Sequence, residues 1–366
     1  MKTDFIDEYL KQNADEIYPY FVSKRKKYLF GAGQQAINCV YLFRLLGIEL
    51  DGILVSQRTV DKFYDLPVWQ MDSLNADKQD VAVLMALNPV TAVGVRGQLE
   101  NLGYDEIYIC QDWEKTNDAV KEAVSLDFYR NNGTDISSEY IQLKQCRFLN
   151  PFREDRRYRQ MLMGTTFTDL IVPGIFKENI YQNRLMYDII EKSFNNAEVV
   201  FDVGANAGIF AGYAAALGMM VTAFEPSRSI LPYLHRNASL YSSIRIEESA
   251  VCGEDGESPF YDKEDYPKYS TLLNPGVPDY KVYQVKTISL DTYISDTGLK
   301  PQFIRIYVNG SVKQVIHGGK QYILDNRPII LIGLEHEPDV SGIKKMILEC
   351  NTEYQMLEWG GYLYFY

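Results

Sequence analysis

The stretch VVFDVGANAGIF, residues 199–210, constrains the fold of this chain more than any other feature. An apolar run that ends in Asp202 is followed by small residues and then by a second apolar run. This order predicts a buried strand, a tight turn and a helix, because Gly204 and Gly208 permit backbone conformations that a Cβ disfavours. Backbone N–H groups at the start of such a helix favour an anionic group of a ligand.

A second acid follows on the next predicted strand. VTAFEPS places Glu225 at the end of that strand, 23 positions after Asp202. An acid at about this interval, on the adjacent strand, reaches the two hydroxyls of a ribose. The alternative is a tight turn with a capping Asp and a surface Glu, but two acids together favour a ribose-bearing cofactor. An acid ahead of the glycines suits the ammonium end of S-adenosylmethionine better than a pyrophosphate.

Strands and helices alternate on both sides of an irregular middle region. Continuous apolar runs predict strands at 27–31, 51–55, 80–87 and 106–110, and again at 198–203, 220–224, 243–248, 303–308 and 328–334. Such runs are typical of parallel sheets that are covered on both faces. A chain of 366 residues also favours more than one domain. We therefore predict an α/β protein with a Rossmann-like domain over 1–125, a connecting, partly helical region over 126–190, and a second domain over 191–366.

Composition argues against several classes of protein. The formal net charge is −12, and the basic run KRKK at 24–27 is short, which argues against nucleic acid as the main partner. The N-terminus lacks the apolar core of a signal peptide, and no run approaches the roughly 18 apolar residues of a membrane span. The five cysteines are scattered, so the spacing predicts neither a metal knuckle nor a disulfide framework. We expect a reduced, cytoplasmic protein that could form a homo-oligomer.

The motifs DVGANAGIF, VTAFEPS and LHRNASLY resemble the FkbM family of S-adenosylmethionine-dependent methyltransferases. KTISLDTYI and the segment from FIRIYVNG to LIGLEHE continue the resemblance in the family's order, over about residues 165–366. The resemblance implies a class I methyltransferase fold, with a Rossmann-like, mixed seven-stranded sheet that ends in an antiparallel hairpin. It also implies the cofactor-binding residues: Asp202, Gly204, Asn206 and Gly208 at the methionine end, Glu225 at the ribose, and Ser249 and Ala250 near the adenine.

The chain departs from this family at the end of the fourth strand of the domain. Family members usually carry Lys-x-Asp-x-Glu-Gly there, whereas this chain has RIYVNG at 305–310, so that Tyr307 and Asn309 replace both carboxylates. A hydroxyl acceptor must lose its proton to a base or through a metal. A tyrosine, with an ordinary pKa of about 10, is a poor base at neutral pH, and an asparagine is none.

The candidate catalytic residues are therefore His317, Tyr307, Glu335 and His336, with Asp291 and Glu337 as further carboxylates. There are two alternatives. The acceptor needs little help with losing its proton, or the protein binds the cofactor without turnover. The triplet Glu335-His336-Glu337 could in principle hold a metal. Neighbouring residues on an extended strand point to opposite faces, so these three side chains do not converge easily and we predict no metal site.

A second glycine turn lies upstream, in KYLFGAGQQAI at 27–37, and fits G-x-G-x-x-A between a strand and a helix. The following strand, DGILVSQRT, has Ser56 where the acid of a dinucleotide site is expected. The region resembles the small Rossmann-like domains attached to sugar-modifying enzymes of bacterial surface-polysaccharide pathways. This implies a nucleotide or nucleotide-sugar site with Gly31 and Gly33 against a phosphate. A domain that only positions partners or dimerises is the alternative.

Three hypotheses about function follow. The first is an S-adenosylmethionine-dependent O-methyltransferase that acts on a sugar or glycan-linked hydroxyl in polysaccharide biosynthesis. The second is a methyltransferase-fold protein that binds cofactor or nucleotide-sugar as a binding or scaffold module, since the strand-end carboxylates are missing. The third is a nucleotide-sugar-binding enzyme whose chemistry lies between the domains.

Overall fold

The computed structural model describes residues 4–131, 135, 137–143, 146–151, 153–155, 157–158, 190–195, 197–334, 337–359 and 361–366. The chain forms two compact units, Met1–Gly133 and Thr134–Tyr366. The predicted boundary at 125 falls inside a helix, Trp113–Asn131, that ends just before the end of the first unit. Among the described residues, no helix has the length and apolar character needed to cross a bilayer.

The first unit is built on a six-stranded sheet in the order β3-β4-β2-β1-β5-β6. Its strands are β1 Lys26–Phe30, β2 Gly52–Val55, β3 Lys62–Phe63, β4 Leu66–Gln70, β5 Val81–Met85 and β6 Glu106–Ile109. All neighbouring strands are parallel except β3 and β4. The helices of this unit are Asp4–Asn13, Tyr18–Val22, Gln34–Leu46, Pro89–Asn101 and Trp113–Asn131. Every residue of β5 is buried, as its continuous apolar run predicts, and the prediction of a smaller, largely parallel Rossmann-like domain is confirmed.

The second unit contains a seven-stranded sheet in the order β11-β10-β9-β15-β16-β18-β17. Its strands are β9 Val199–Val203, β10 Met220–Phe224, β11 Ile244–Glu247, β15 Phe303–Ile306, β16 Ile329–Gly333, β17 Met356–Trp359 and β18 Tyr362–Phe365. Strands β9, β10, β11, β15 and β16 are parallel, and β18 and β17 form an antiparallel hairpin against β16. The predicted mixed sheet with an antiparallel C-terminal hairpin is confirmed.

The chain order of this sheet fixes where a ligand can bind. From β9 the chain first builds outwards through β10 and β11, and later returns to the other side of β9 with β15 and β16. In open α/β sheets the crevice at such a reversal, outside the carboxyl ends of the strands, is the usual ligand site. Helices that pack on this sheet are Ile209–Ala216, Leu231–Ala238, Leu290–Thr297, Val312–Gly318, Lys320–Asn326 and Val340–Cys350.

Two smaller sheets complete the described part of the second unit. One is the hairpin of β7 Tyr140–Leu143 and β8 Cys146–Leu149. The other joins β12 Ala250–Val251, β13 Gly256–Asp262 and β14 Lys281–Ile288, in the order β12-β14-β13. The sequence predicts β14 but assigns 256–279 to loops because of its prolines. The structure corrects this for β13: Pro259 fits there because β13 lies at the edge of its sheet, where a missing N–H is tolerated.

Candidate functional site

A cleft opens at the carboxyl ends of β9, β10 and β15, the position that the strand order indicates. Val203, Phe224 and Arg305 line it from these three strands. It encloses about 1160 Å³ of space outside the protein atoms, part of it open to solvent.

The turn after β9 forms one wall of the cleft and requires its first glycine. Gly204 has a φ of 78°, and a Cβ at this position would lie 2.2 Å from the carbonyl oxygen of Tyr307. The backbone N–H groups of Gly204 and Ala205 both donate to the carbonyl oxygen of Phe224, at 3.0 Å. The ends of β9, β10 and β15 therefore approach one another closely, and only a glycine permits this.

Glu225 supports the same turn from the end of β10. Its Oε2 accepts a hydrogen bond from the backbone N–H of Asn206 at 2.8 Å, and its Oε1 accepts one from Ser227 at 2.9 Å. Asn206 itself has a φ of 52°, a conformation that asparagine tolerates better than most residues. The acid thus holds the glycine turn in place while its side chain lines the cleft.

The environment of Glu225 shifts its ionisation. Only 5% of the residue is exposed, and burial raises the pKa of this carboxyl to about 7. The two backbone donors from Asn206 and Ser227 lower the pKa, whereas the nearby charges of Asp262 and Asp202 raise it. Near neutral pH the protonated and ionised forms of Glu225 are therefore both populated.

Asp202 and Arg305 form a buried ion pair at the other end of the turn. They are direct neighbours in the parallel register of β9 and β15, and Arg305 Nη1 donates to Asp202 Oδ1 at 2.7 Å. Burial raises the pKa of the Asp202 carboxyl, and the guanidinium opposes this rise. Among the described residues, Asp202 Oδ2 has no hydrogen-bond partner. Arg305 lines the cleft and Asp202 does not.

The third wall is mostly apolar. Ser249 and Ala250, which follow β11, line the cleft together with Val251, Phe260 and Ile230. All five residues are buried. A flat aromatic base packs well between apolar side chains of this kind.

The segment at 266–273 between β13 and β14, called the covering segment below, contributes Ser270, Thr271 and Leu272 to the lining of the cleft. Two hydrogen bonds fasten it to the residues after β15: Asn309 Nδ2 donates to the carbonyl oxygen of Ser270, and Thr271 Oγ1 donates to that of Asn309, both at 2.9 Å. These two hydrogen bonds, called the latch below, join the covering segment to Asn309, which follows β15.

A buried acid anchors the same segment to the turn after β10. Asp262 is 1% exposed and accepts hydrogen bonds from the hydroxyls of Ser227, Ser229, Ser270 and Tyr283, at 2.6–3.1 Å. Ser227 is also a backbone donor to Glu225. The covering segment and Glu225, which follows β10, thus belong to one hydrogen-bond network.

The predicted cofactor residues are largely brought together. Gly204, Asn206, Glu225, Ser249 and Ala250 line one cleft. Gly208 and Asp202 are buried beside it without lining it. Gly208 has a φ of 79° and packs so closely that a Cβ would lie 2.5 Å from Leu234 Cδ1.

The predicted catalytic residues are more scattered. Tyr307 lines the cleft, and its ring lies so close to Gly333 that a Cβ there would overlap it. His317 is exposed and lies beside Gly253, outside the set of lining residues. Glu335 and His336 lie outside the described residues.

The two further carboxylates serve helix ends. Asp291 accepts hydrogen bonds from the backbone N–H groups of Gln321 and Tyr322, and Glu337 accepts one from Val312. Burial raises the pKa of Glu337. Neither acid lines the cleft, and among the described residues no group of His, Cys, Asp and Glu has the arrangement of a metal site.

The upstream glycine turn has a different construction. Gly31 has a φ of 110° and lies against Leu87, whereas Gly33 begins the helix Gln34–Leu46 with an ordinary φ of −95°. Among the described residues, no heavy atom outside Gly33, its chain neighbours and the backbone of its own helix lies within 4 Å of a Cβ built on Gly33. Ser56, at the position of the missing acid, is exposed.

Two features that line the cleft are not predicted from the sequence: Arg305 and the covering segment at 266–273. A signal for Arg305 exists, because it stands where the resembling family carries a basic residue. The covering segment carries no such pattern, and its contacts with Asn309 join residues far apart in the chain.

No protein-family model matches the chain, and no curated protein sequence matches it. Among solved structures the chain is similar to the methyltransferase FkbM from Methylobacillus flagellatus, with 14% identity and a TM-score of 0.40, over 100% of this chain and 94% of that one. It is also similar to an S-adenosylmethionine-dependent methyltransferase from Agrobacterium tumefaciens, with 11% identity and a TM-score of 0.33, over 62% of this chain and 69% of that one. At this level of similarity, the fold is assigned from the strand order itself.

Proposed function

We propose that this protein is an S-adenosylmethionine-dependent methyltransferase whose acceptor is a hydroxyl of a sugar or glycan. One observation carries the proposal: a glycine turn without room for a Cβ and a buried, backbone-bound acid line the same cleft at the reversal of the sheet. This is the combination that a ribose-bearing cofactor needs.

The residues of the cleft fit the cofactor. Each carboxylate oxygen of Glu225 accepts one backbone N–H, and each retains a lone pair that can accept a ribose hydroxyl. The apolar wall around Ala250 and Phe260 suits an adenine. Gly204 lets the backbone approach the aminoacyl part closely.

Bound there, S-adenosylmethionine supplies an activated methyl group. Because the cofactor is already reactive, alignment of the acceptor accounts for much of the rate. Tyr307, Asn309 and Thr271 also line the cleft, and we assign the acceptor to their side of it. The two hydrogen bonds between Asn309 and the covering segment tie these parts of the cleft wall together and favour a fixed shape there.

A second candidate, a protein that binds the cofactor without turnover, is favoured by one observation. Among the described residues that line the cleft, Glu225 is the only carboxylate and no histidine is present. Glu225 is occupied with the glycine turn, so a base for a sugar hydroxyl would have to come from elsewhere. The methyltransferase candidate therefore requires a base from outside the described lining residues to deprotonate the acceptor hydroxyl.

Two measurements separate the candidates. Calorimetric titration of the cofactor-stripped protein with S-adenosylhomocysteine tests binding, and transfer of a labelled methyl group to a panel of sugars and polysaccharides tests turnover. One-to-one binding with transfer supports the methyltransferase, and binding without transfer to any acceptor supports the second candidate. No binding by the folded protein contradicts both.

A further inference from the structure

Arg305 has more hydrogen-bonding capacity than its neighbours use. A guanidinium carries five N–H donors, and among the described residues Arg305 donates one hydrogen bond, to Asp202. Its side chain is only 10% exposed, and it lines the cleft. The remaining donors are therefore available to a ligand in the cleft rather than to bulk water.

The guanidinium is held in a fixed orientation. Asp202 on the adjacent strand accepts a hydrogen bond from the guanidinium of Arg305. The Cζ atom of Arg305 lies 4.9 Å from the ring centre of Phe210 and 4.8 Å from that of Tyr307. Phe210 stands at the start of the helix after the glycine turn. A cation positioned in this way needs little reordering when a ligand arrives, which favours binding.

The positive charge of Arg305 sets it apart from the other described residues that line the cleft. It is the only cationic side chain among the described lining residues, and the adjacent walls are largely apolar. A carboxylate that enters so dry a space is costly unless it meets a cation. A planar carboxylate also matches the two parallel N–H groups that an arginine can offer.

We propose that Arg305 binds a carboxylate group of a ligand in the cleft and that Asp202 acts as its positioning residue. The inference rests on the proposed function, which offers two sources for that group. One is the carboxylate in the methionine part of the cofactor, and the other is a carboxylate on the acceptor, as in a uronic acid.

The test compares ligands with and without the group. S-Adenosylhomocysteine carries the carboxylate, whereas 5′-methylthioadenosine keeps the adenosine and sulfur but lacks the aminoacyl part. Both are titrated calorimetrically into the full chain. D-Glucuronate and D-glucose, added to the S-adenosylhomocysteine complex, probe an acceptor carboxylate.

The variants separate ligand binding from folding. Arg305→Lys keeps a charge beside Asp202 but loses the paired donors. Arg305→Met alone would leave Asp202 buried without a partner, so it is combined with Asp202→Asn. Arg245→Met is the matched control, because Arg245 also pairs with an acid, Glu247, and lies over the ring of Tyr293, yet does not line the cleft.

The expected result is a loss of affinity for S-adenosylhomocysteine of about 10- to 100-fold in the double variant, smaller in Arg305→Lys, with unchanged affinity for 5′-methylthioadenosine. Loss of glucuronate binding alone, with both adenosine ligands unaffected, also supports the proposal and assigns the carboxylate to the acceptor. Equal losses for both adenosine ligands, or no loss for any ligand, overturn it. If the wild-type protein binds neither adenosine ligand, the proposed function fails, and this inference fails with it.

Discussion

Two glycine turns follow buried strands in this chain, and they differ in what supports them. The turn at 204–208 has a glycine that cannot carry a Cβ, an acid that binds its backbone, and a cleft above it. The turn at 31–33 has open space around Gly33 and an exposed Ser56 where the acid would be. The comparison shows that small residues at the right spacing build a turn, whereas the acid on the next strand makes it a candidate ligand site.

The same substitution at both turns should show the largest difference between them. In Gly204→Ser, a side chain would overlap the carbonyl oxygen of Tyr307, and the left-handed backbone adds strain. We expect a loss of about 3 kcal/mol or more in the free energy of unfolding, and no measurable binding of S-adenosylhomocysteine. Gly33→Ser, at a helix N-cap, should leave stability unchanged or slightly raised. Chemical denaturation and titration of both variants would check this, and equal effects at the two turns would contradict the account.

Removal of the acid should give the next largest effect. Glu225→Ala deletes the acceptor for two ribose hydroxyls, each worth about 1.5–3 kcal/mol when the acceptor is charged. We expect an affinity for S-adenosylhomocysteine about 1000-fold lower. Glu248→Ala is the control, because Glu248 is an exposed acid paired with His235. Wild-type affinity in Glu225→Ala would remove Glu225 from the site.

The raised pKa of Glu225 predicts a dependence of stability on pH. Because its pKa is about 7 in the folded protein and 4.5 is its ordinary value, the folded state binds the proton more tightly than the unfolded state. Its contribution is present below pH 4.5 and is lost as the pH rises through 7, by up to about 3 kcal/mol. Denaturation across this range should show the wild type losing stability relative to Glu225→Gln. Parallel pH curves for the two proteins would contradict the shift.

The smallest expected effect concerns the latch. In Asn309→Asp, a carboxylate oxygen replaces the donor to the carbonyl oxygen of Ser270, so the covering segment should loosen. We expect binding of S-adenosylhomocysteine about 3- to 10-fold weaker, and a smaller effect in Asn309→Ala, which loses the bond without repulsion. Titration of both variants, with a methyl-transfer assay, would check this. A gain of transfer in Asn309→Asp would instead mean that the position needs a catalytic carboxylate.

The sequence predicts the parts of this fold that depend on local pattern. Continuous apolar runs locate the parallel strands, and Gly204 and Glu225 locate the cleft, because each signal lies within one strand–turn unit. The sequence does not indicate contacts that depend on pairing across the sheet. The role of Asp202 at the methionine end of the cofactor stays a prediction, and the register of β9 and β15 pairs Asp202 with Arg305, which lines the cleft.

Two further features are not predicted from the sequence, because they depend on contacts between residues far apart in the chain. Pro259 suggests a loop until β14 is seen to pair with β13. The latch between Asn309 and Ser270 joins segments that only the fold brings together, and no spacing rule relates them.

Hydrogen–deuterium exchange of the full chain, with and without S-adenosylhomocysteine, tests most directly whether the downstream turn alone is the site. We expect slower exchange at 203–210, 225–230 and 249–251 when the ligand is present, and unchanged exchange at 31–37. Protection at 31–37, or no protection at the downstream turn, would contradict it.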